Sequence, residues 1–104
     1  MKEHDLADYI LKTNSFRKLD WQYIENELCR MGDYFPMLLR QTYHSLTEED
    51  VKILLLMRLK LSNKEIAELL NILPTSFRLR RYRIKQKLSI TDKKLCDWIE
   101  NLYC

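Results

Sequence analysis

The sequence predicts an all-α fold, and three observations carry that prediction. Apolar side chains recur at spacings of three and four along most of the chain, the period of one helix face. Only one Gly and two Pro occur in 104 residues, too few for a turn-rich β architecture or a Gly-rich phosphate loop. Leu46-Thr47-Glu48-Glu49-Asp50-Val51 and Leu61-Ser62-Asn63-Lys64-Glu65-Ile66 repeat one helix-start device. Each has a hydroxyl cap, an acid three residues on that reaches back, and an apolar pair that staples the entry.

Taken in order, residues 3–12 place Leu6, Tyr9 and Ile10 on one face, and Thr13-Asn14-Ser15 breaks the helix. Asp20 is expected to cap a second helix with Trp21, Ile24, Leu28 and Met31 inward, stopped by Gly32. Asp33 is expected to cap a third, short helix that tolerates Pro36 in its first turn. Phe35, Leu38, Leu39 and Tyr43 form its apolar side, and these aromatics read as core. From Thr47 the chain carries Val51, Leu54 and Leu55, widened by Ile53, Leu56 and Met57. A helix this apolar must be central.

Ser62 then opens a helix with Ile66, Leu69 and Leu70 on its buried stripe, and Ala67 small enough for a close crossing. Asn71-Ile72-Leu73 makes a turn, and Pro74 suits the first position of the next helix. Along 74–88, Phe77, Arg81, Ile84 and Leu88 share one face, while Thr75, Arg78, Leu79 and Tyr82 share the opposite one. Thr91 is expected to cap a terminal helix, 92–103, with Leu95, Trp98, Ile99 and Leu102 as its stripe. Neither an internal repeat nor a low-complexity linker is evident. The expected organisation is a helical extension over 1–45, of two or three short helices packed on the core, and a helical domain over 46–104.

Charge is unevenly spread. Six of the eleven residues 78–88 are cationic, Arg78, Arg80, Arg81, Arg83, Lys85 and Lys87, with no acid among them. Residues 1–45 carry six basic and seven acidic side chains, 46–88 ten and five, and 89–104 two and three. The whole net charge of +3 therefore comes from the middle segment, which points to an anionic partner such as nucleic acid. Two helices joined by a short turn, the second this basic, predict a helix-turn-helix with its second helix against DNA.

Other classes find little support. His4 and His44 have no partner at metal-ligand or catalytic spacing, so neither metal, cofactor nor enzymatic activity is expected. Cys29, Cys96 and Cys104 are odd in number without CxxC spacing, which fits a reduced cytoplasmic protein with Cys104 open to oxidation. Met1–Lys12 has no continuous apolar region, and no apolar run reaches the roughly 18 residues a bilayer requires.

The run LTEEDVKILLLMRLKLSNKEIAELLNILPTSFRLRRYRIKQKL, residues 46–88, resembles the LuxR/GerE-type effector domain of bacterial transcription regulators, with LSNKEIA its most specific part. The Arg-Arg-Tyr-Arg-Ile run at 80–84, with Trp21 and Phe35-Pro36 upstream, is most similar to the C-terminal output domains of large Bacteroidetes regulators. The resemblance implies a four-helix domain of the winged-helix-like superfamily without a wing, in which 74–88 is the recognition helix lying in the major groove. It implies base contacts from Arg78, Leu79 and Tyr82, and phosphate or base-edge contacts from Thr75 and Ser76. Asn63, Lys64, Arg83, Lys85 and Lys87 are expected to track the backbone, Arg81 to face inward, and Arg80 to do either. If roughly 5 phosphates are neutralised, log K falls with log salt at a slope near −4.5. Such domains often dimerise through the last helix, here 92–103, and the chain fits the output end of a longer regulator. Two alternatives share the motif: a sigma-factor region-four-like module docked on RNA polymerase, and a helix-turn-helix used for protein–protein interaction. Where the family usually has Gly, this chain has Lys60, which costs about 1 kcal/mol if the backbone there is left-handed. Ser89 likewise replaces a common Gly, and Leu73 stands where a Ser or Thr usually caps the recognition helix.

Overall fold

The computed structural model describes residues 3–91 and 93–101. Among the described residues seven α-helices follow one another: α1 (Glu3–Thr13), α2 (Trp21–Arg30), α3 (Phe35–Thr42), α4 (Glu48–Arg58), α5 (Asn63–Leu70), α6 (Pro74–Lys87) and α7 (Leu95–Asn101). A single 3-10 turn, Phe16–Lys18, separates the first two, and no strand occurs among the described residues. The fold is all-α.

Local chemistry accounts for where these helices begin. Thr47 Oγ1 accepts from the Asp50 amide at 3.0 Å while Asp50 Oδ2 accepts from the Thr47 amide at 3.0 Å. Ser62 and Glu65 make the same reciprocal pair at 3.1 and 2.8 Å. Both capping boxes therefore close, satisfying amides that a helix start otherwise leaves open. Asp20 caps α2 by accepting from the Tyr23 amide. Asp33 acts one residue earlier than a formal cap: Tyr34 holds that position, and Asp33 Oδ1 accepts from the Phe35 amide at 3.1 Å.

Helix ends share a device that composition conceals. After α2, α4, α5 and α6 the chain turns through Gly32, Lys60, Asn71 and Ser89, all at positive φ. Each turn is closed by two bonds, such as Lys60 N–H to Met57 O at 2.9 Å and Leu61 N–H to Leu56 O at 3.2 Å. That is the Schellman pattern, and the apolar residues that follow, Leu61, Ile72 and Ile90, fold back onto the core. Only one of the four is glycine. Lys60 sits at φ 69, so its Cβ crowds the backbone at a cost of about 1 kcal/mol. Lys60→Gly is expected to raise stability by about 0.5–1 kcal/mol, part of the relief being offset by glycine's freedom in the unfolded chain. Thermal melts test this, and a lower Tm for the glycine variant would mean the left-handed turn carries no strain.

One apolar core runs the length of the described chain. Leu6 and Ile10 of α1, Ile24 and Leu28 of α2, and Phe35 and Leu39 of α3 join the same buried cluster as α4 to α7. Ile53, Leu54, Leu55 and Leu56 of α4 are fully buried, which makes α4 the central helix. Two arginines bolt the first 45 residues to the rest. Arg40 of α3 makes a bidentate pair with Glu25 of α2 at 2.7 and 2.9 Å and reaches both oxygens of Glu48 at 3.0 Å. Glu25 and then Glu48 raise the Arg40 pKa, and Arg40 holds Glu48 below the usual carboxylate range. Arg58 donates to Asp33 Oδ2 at 3.1 Å and to the Ile99 carbonyl at 3.0 Å, its guanidinium 5.1 Å from the Phe35 ring. It ties the α2–α3 connection, α4 and α7 together.

The terminal helix departs from expectation. It starts at Leu95, not at Thr91. Ile90 is buried as the closing residue of the α6 turn, which directs the chain inward before a helix can resume. Leu95 and Ile99 then pack on the shared core, while Trp98 meets Tyr43 edge-on at 5.8 Å. Leu102, Cys104 and the His4 side chain lie outside what is described.

Candidate nucleic-acid interface

α5 and α6 are joined by only Asn71-Ile72-Leu73, and Ala67 is buried in the core between neighbouring elements. Asn71, in the left-handed region, reverses the chain so that α6 packs against α5. Leu73 heads α6 without any side-chain cap, and Pro74 has no amide to satisfy. The first turn of α6 thus offers Thr75 and Ser76, both exposed, with no protein side chain capping their amides. Such a turn suits an external acceptor.

The phase of α6 divides its side chains as the sequence implies. Phe77, Ile84 and Leu88 are buried. Arg81 turns inward with them, its guanidinium 5.1 Å from the Phe77 ring, half-buried and without a carboxylate partner among the described residues. Burial, and then the neighbouring charge of Arg78, lower the Arg81 pKa. On the other side Thr75, Arg78, Leu79 and Tyr82 are exposed, Leu79 at 51% and Tyr82 at 58%. Arg83, also exposed, continues that surface, with Asn63 and Lys64 exposed at the start of α5.

Two of the six cations are not free. Arg80 meets Glu49 at 2.7 Å, and Lys87 meets Asp50 at 2.6 Å. Lys87, expected to track a backbone, is instead held by a carboxylate only 4% exposed. The acids come from the first turn of α4, some thirty to forty residues upstream, so a count restricted to α6 misses them. Arg80, left open between two roles, is paired within the protein. Arg78, Arg83 and Lys85 remain unpaired among the described residues.

Asn63, Arg78, Tyr82 and Lys85 are among the residues that line a groove of about 530 Å³ between α5, α6 and the approach to α7. Lys94 completes it from the connection before α7. The sequence offered a signal for Lys94, the Lys93-Lys94 pair, but the net negative charge of the last sixteen residues masked it. Leu73, heading α6, is 69% exposed, marked in sequence only by its failure to cap.

No family model, curated protein or solved structure matches the chain.

Proposed function

We propose that this chain is a bacterial DNA-binding domain acting in transcription regulation in the cytoplasm, with α5 and α6 as a helix-turn-helix and α6 in the major groove. One observation carries the reading: α6 presents Arg78, Leu79, Tyr82 and Arg83 to solvent, unpaired by any described carboxylate, from a helix anchored on its opposite face. A guanidinium supplies the paired donors that match guanine, and Leu79 offers an apolar contact for a thymine methyl. Around them Lys64, Arg83 and Lys85 suit phosphates, as do the uncapped amides of the α6 start. In this reading Arg80 and Lys87 hold α6 on α4 and leave the DNA to their neighbours.

Selection from random duplexes, followed by anisotropy titrations over a salt series, tests the proposal. With Lys64, Arg83 and Lys85 as the phosphate-contacting cations, about 3 phosphates are neutralised and log K should fall with log salt at a slope near −2.7. Lys85→Ala should weaken every duplex alike and flatten that slope by about 0.9. Binding that is undetectable, or indifferent to salt, would end the DNA reading.

A further inference from the structure

The groove between α6 and α7 is charged in one sense only. Arg78, Arg81, Lys85 and Lys94 line it, and among the described residues no carboxylate does. None of the four has an ion-pair partner among those residues. Arg78, Arg81 and Lys85 stand at i, i+3 and i+7 on one helix, so they repel each other as well as Lys94. Arg81 bears the most of this, being half-buried and crowded by Arg78. Four cations around one concavity are best stabilised by an anion carrying several charges.

The rest of the lining is not built for a bare anion. Met57 and Leu95 provide apolar surface, and Tyr82 adds an aromatic ring. At about 530 Å³, the space falls in the range of roughly 300–1,000 Å³ typical of small-molecule sites. Duplex DNA brings a row of phosphates but keeps its bases stacked, so it has no free planar group to set against Tyr82 and the apolar wall. A phosphorylated small molecule with a heteroaromatic base has both parts.

We propose that this groove binds a nucleoside di- or triphosphate, its phosphates among the four cations and its base against Tyr82, Met57 and Leu95, and that the occupied groove excludes duplex DNA. Binding stands on the groove alone. The exclusion rests on the DNA reading, because Arg78, Tyr82 and Lys85 would serve both ligands.

Cys96 is exposed and lines the same groove, which makes it a reporter. ATP, pyrophosphate and adenosine are titrated into the full chain, and alkylation of Cys96 is followed by mass spectrometry. ATP is expected to protect the thiol saturably, pyrophosphate about tenfold more weakly, and adenosine not at all. Lys94→Ala should weaken ATP about tenfold. ATP should also displace labelled duplex at a concentration where sulfate of equal ionic strength does not. Absence of protection up to about 1 mM ATP, equal protection by pyrophosphate, or indifference of ATP binding to Lys94→Ala would each overturn the nucleotide site. Protection by ATP in a chain that binds no duplex would uphold the site and overturn the exclusion together with the DNA reading. Simultaneous binding of both would overturn the exclusion alone.

Discussion

Asp50→Ala is expected to cost about 3 kcal/mol of stability, a fall in Tm of roughly 12–24 °C for a domain of this size. The Asp50 carboxylate does two jobs from a position only 4% exposed. It accepts from the Thr47 amide, closing the α4 capping box, and it holds the Lys87 ammonium at 2.6 Å. Losing the cap costs about 1 kcal/mol. Stranding Lys87 beside the core costs about 2 kcal/mol more, less than for a fully buried ion because its side chain is 34% exposed and water reaches it. Adding Lys87→Ala to Asp50→Ala should restore about 2 kcal/mol, since no unpaired charge then remains. Urea titrations of the single and double variants check this. A loss no larger than that of a cap would mean that the Lys87 pair contributes nothing.

The same carboxylate gives stability a pH dependence. Burial pushes the Asp50 pKa up, but the Lys87 ammonium and the Thr47 hydrogen bonds outweigh burial and hold it below the ordinary aspartate value. A group with a depressed folded pKa stabilises the fold above its unfolded pKa, near 3.9, and that contribution is lost as pH falls through the folded value. The wild type should therefore lose stability more steeply below about pH 4 than Asp50→Ala does. Parallel acid limbs for the two proteins would remove Asp50 from the account.

Arg78→Ala is expected to weaken binding to the selected duplex by about 10–100-fold, equivalent to 1–3 kcal/mol for a bidentate base contact. Base preference at one position should relax at the same time. The side chain is exposed and holds no partner in the described protein, so Tm should not fall. It should even rise slightly, because Arg81 loses the like charge that lowers its pKa. The contrast with Lys85→Ala is diagnostic: one change alters which sequences are chosen, the other how tightly all are held. Identical behaviour in the selection experiment would show that the two cations do the same work.

Much of the fold was legible because its causes are local. A capping box needs a hydroxyl and an acid three residues apart, so Thr47/Asp50 and Ser62/Glu65 announce α4 and α5 in the sequence and close as expected. The inward face of α6 follows from 100° of turn per residue, which puts Phe77, Ile84 and Leu88 together whatever lies beneath them. Left-handed helix ends were only partly legible: Gly32 signals one openly, whereas Lys60 and Ser89 do so through the apolar residue that follows. The start of α7 was misplaced at Thr91 because burial of Ile90, a tertiary event, overrides a good capping residue next to it.

The basic run 78–87 shows where that boundary falls. By itself the sequence determined that a helix starts at Pro74, that Arg81 faces inward, and that Arg78, Leu79 and Tyr82 face away. Only the tertiary structure decided which cations stay available. Glu49 and Asp50, at the start of α4, neutralise Arg80 and Lys87, and Lys94 from beyond the helix joins the groove. Helical phase is a property of neighbouring residues along the chain, whereas pairing of charges depends on how separate helices are brought together by the core between them.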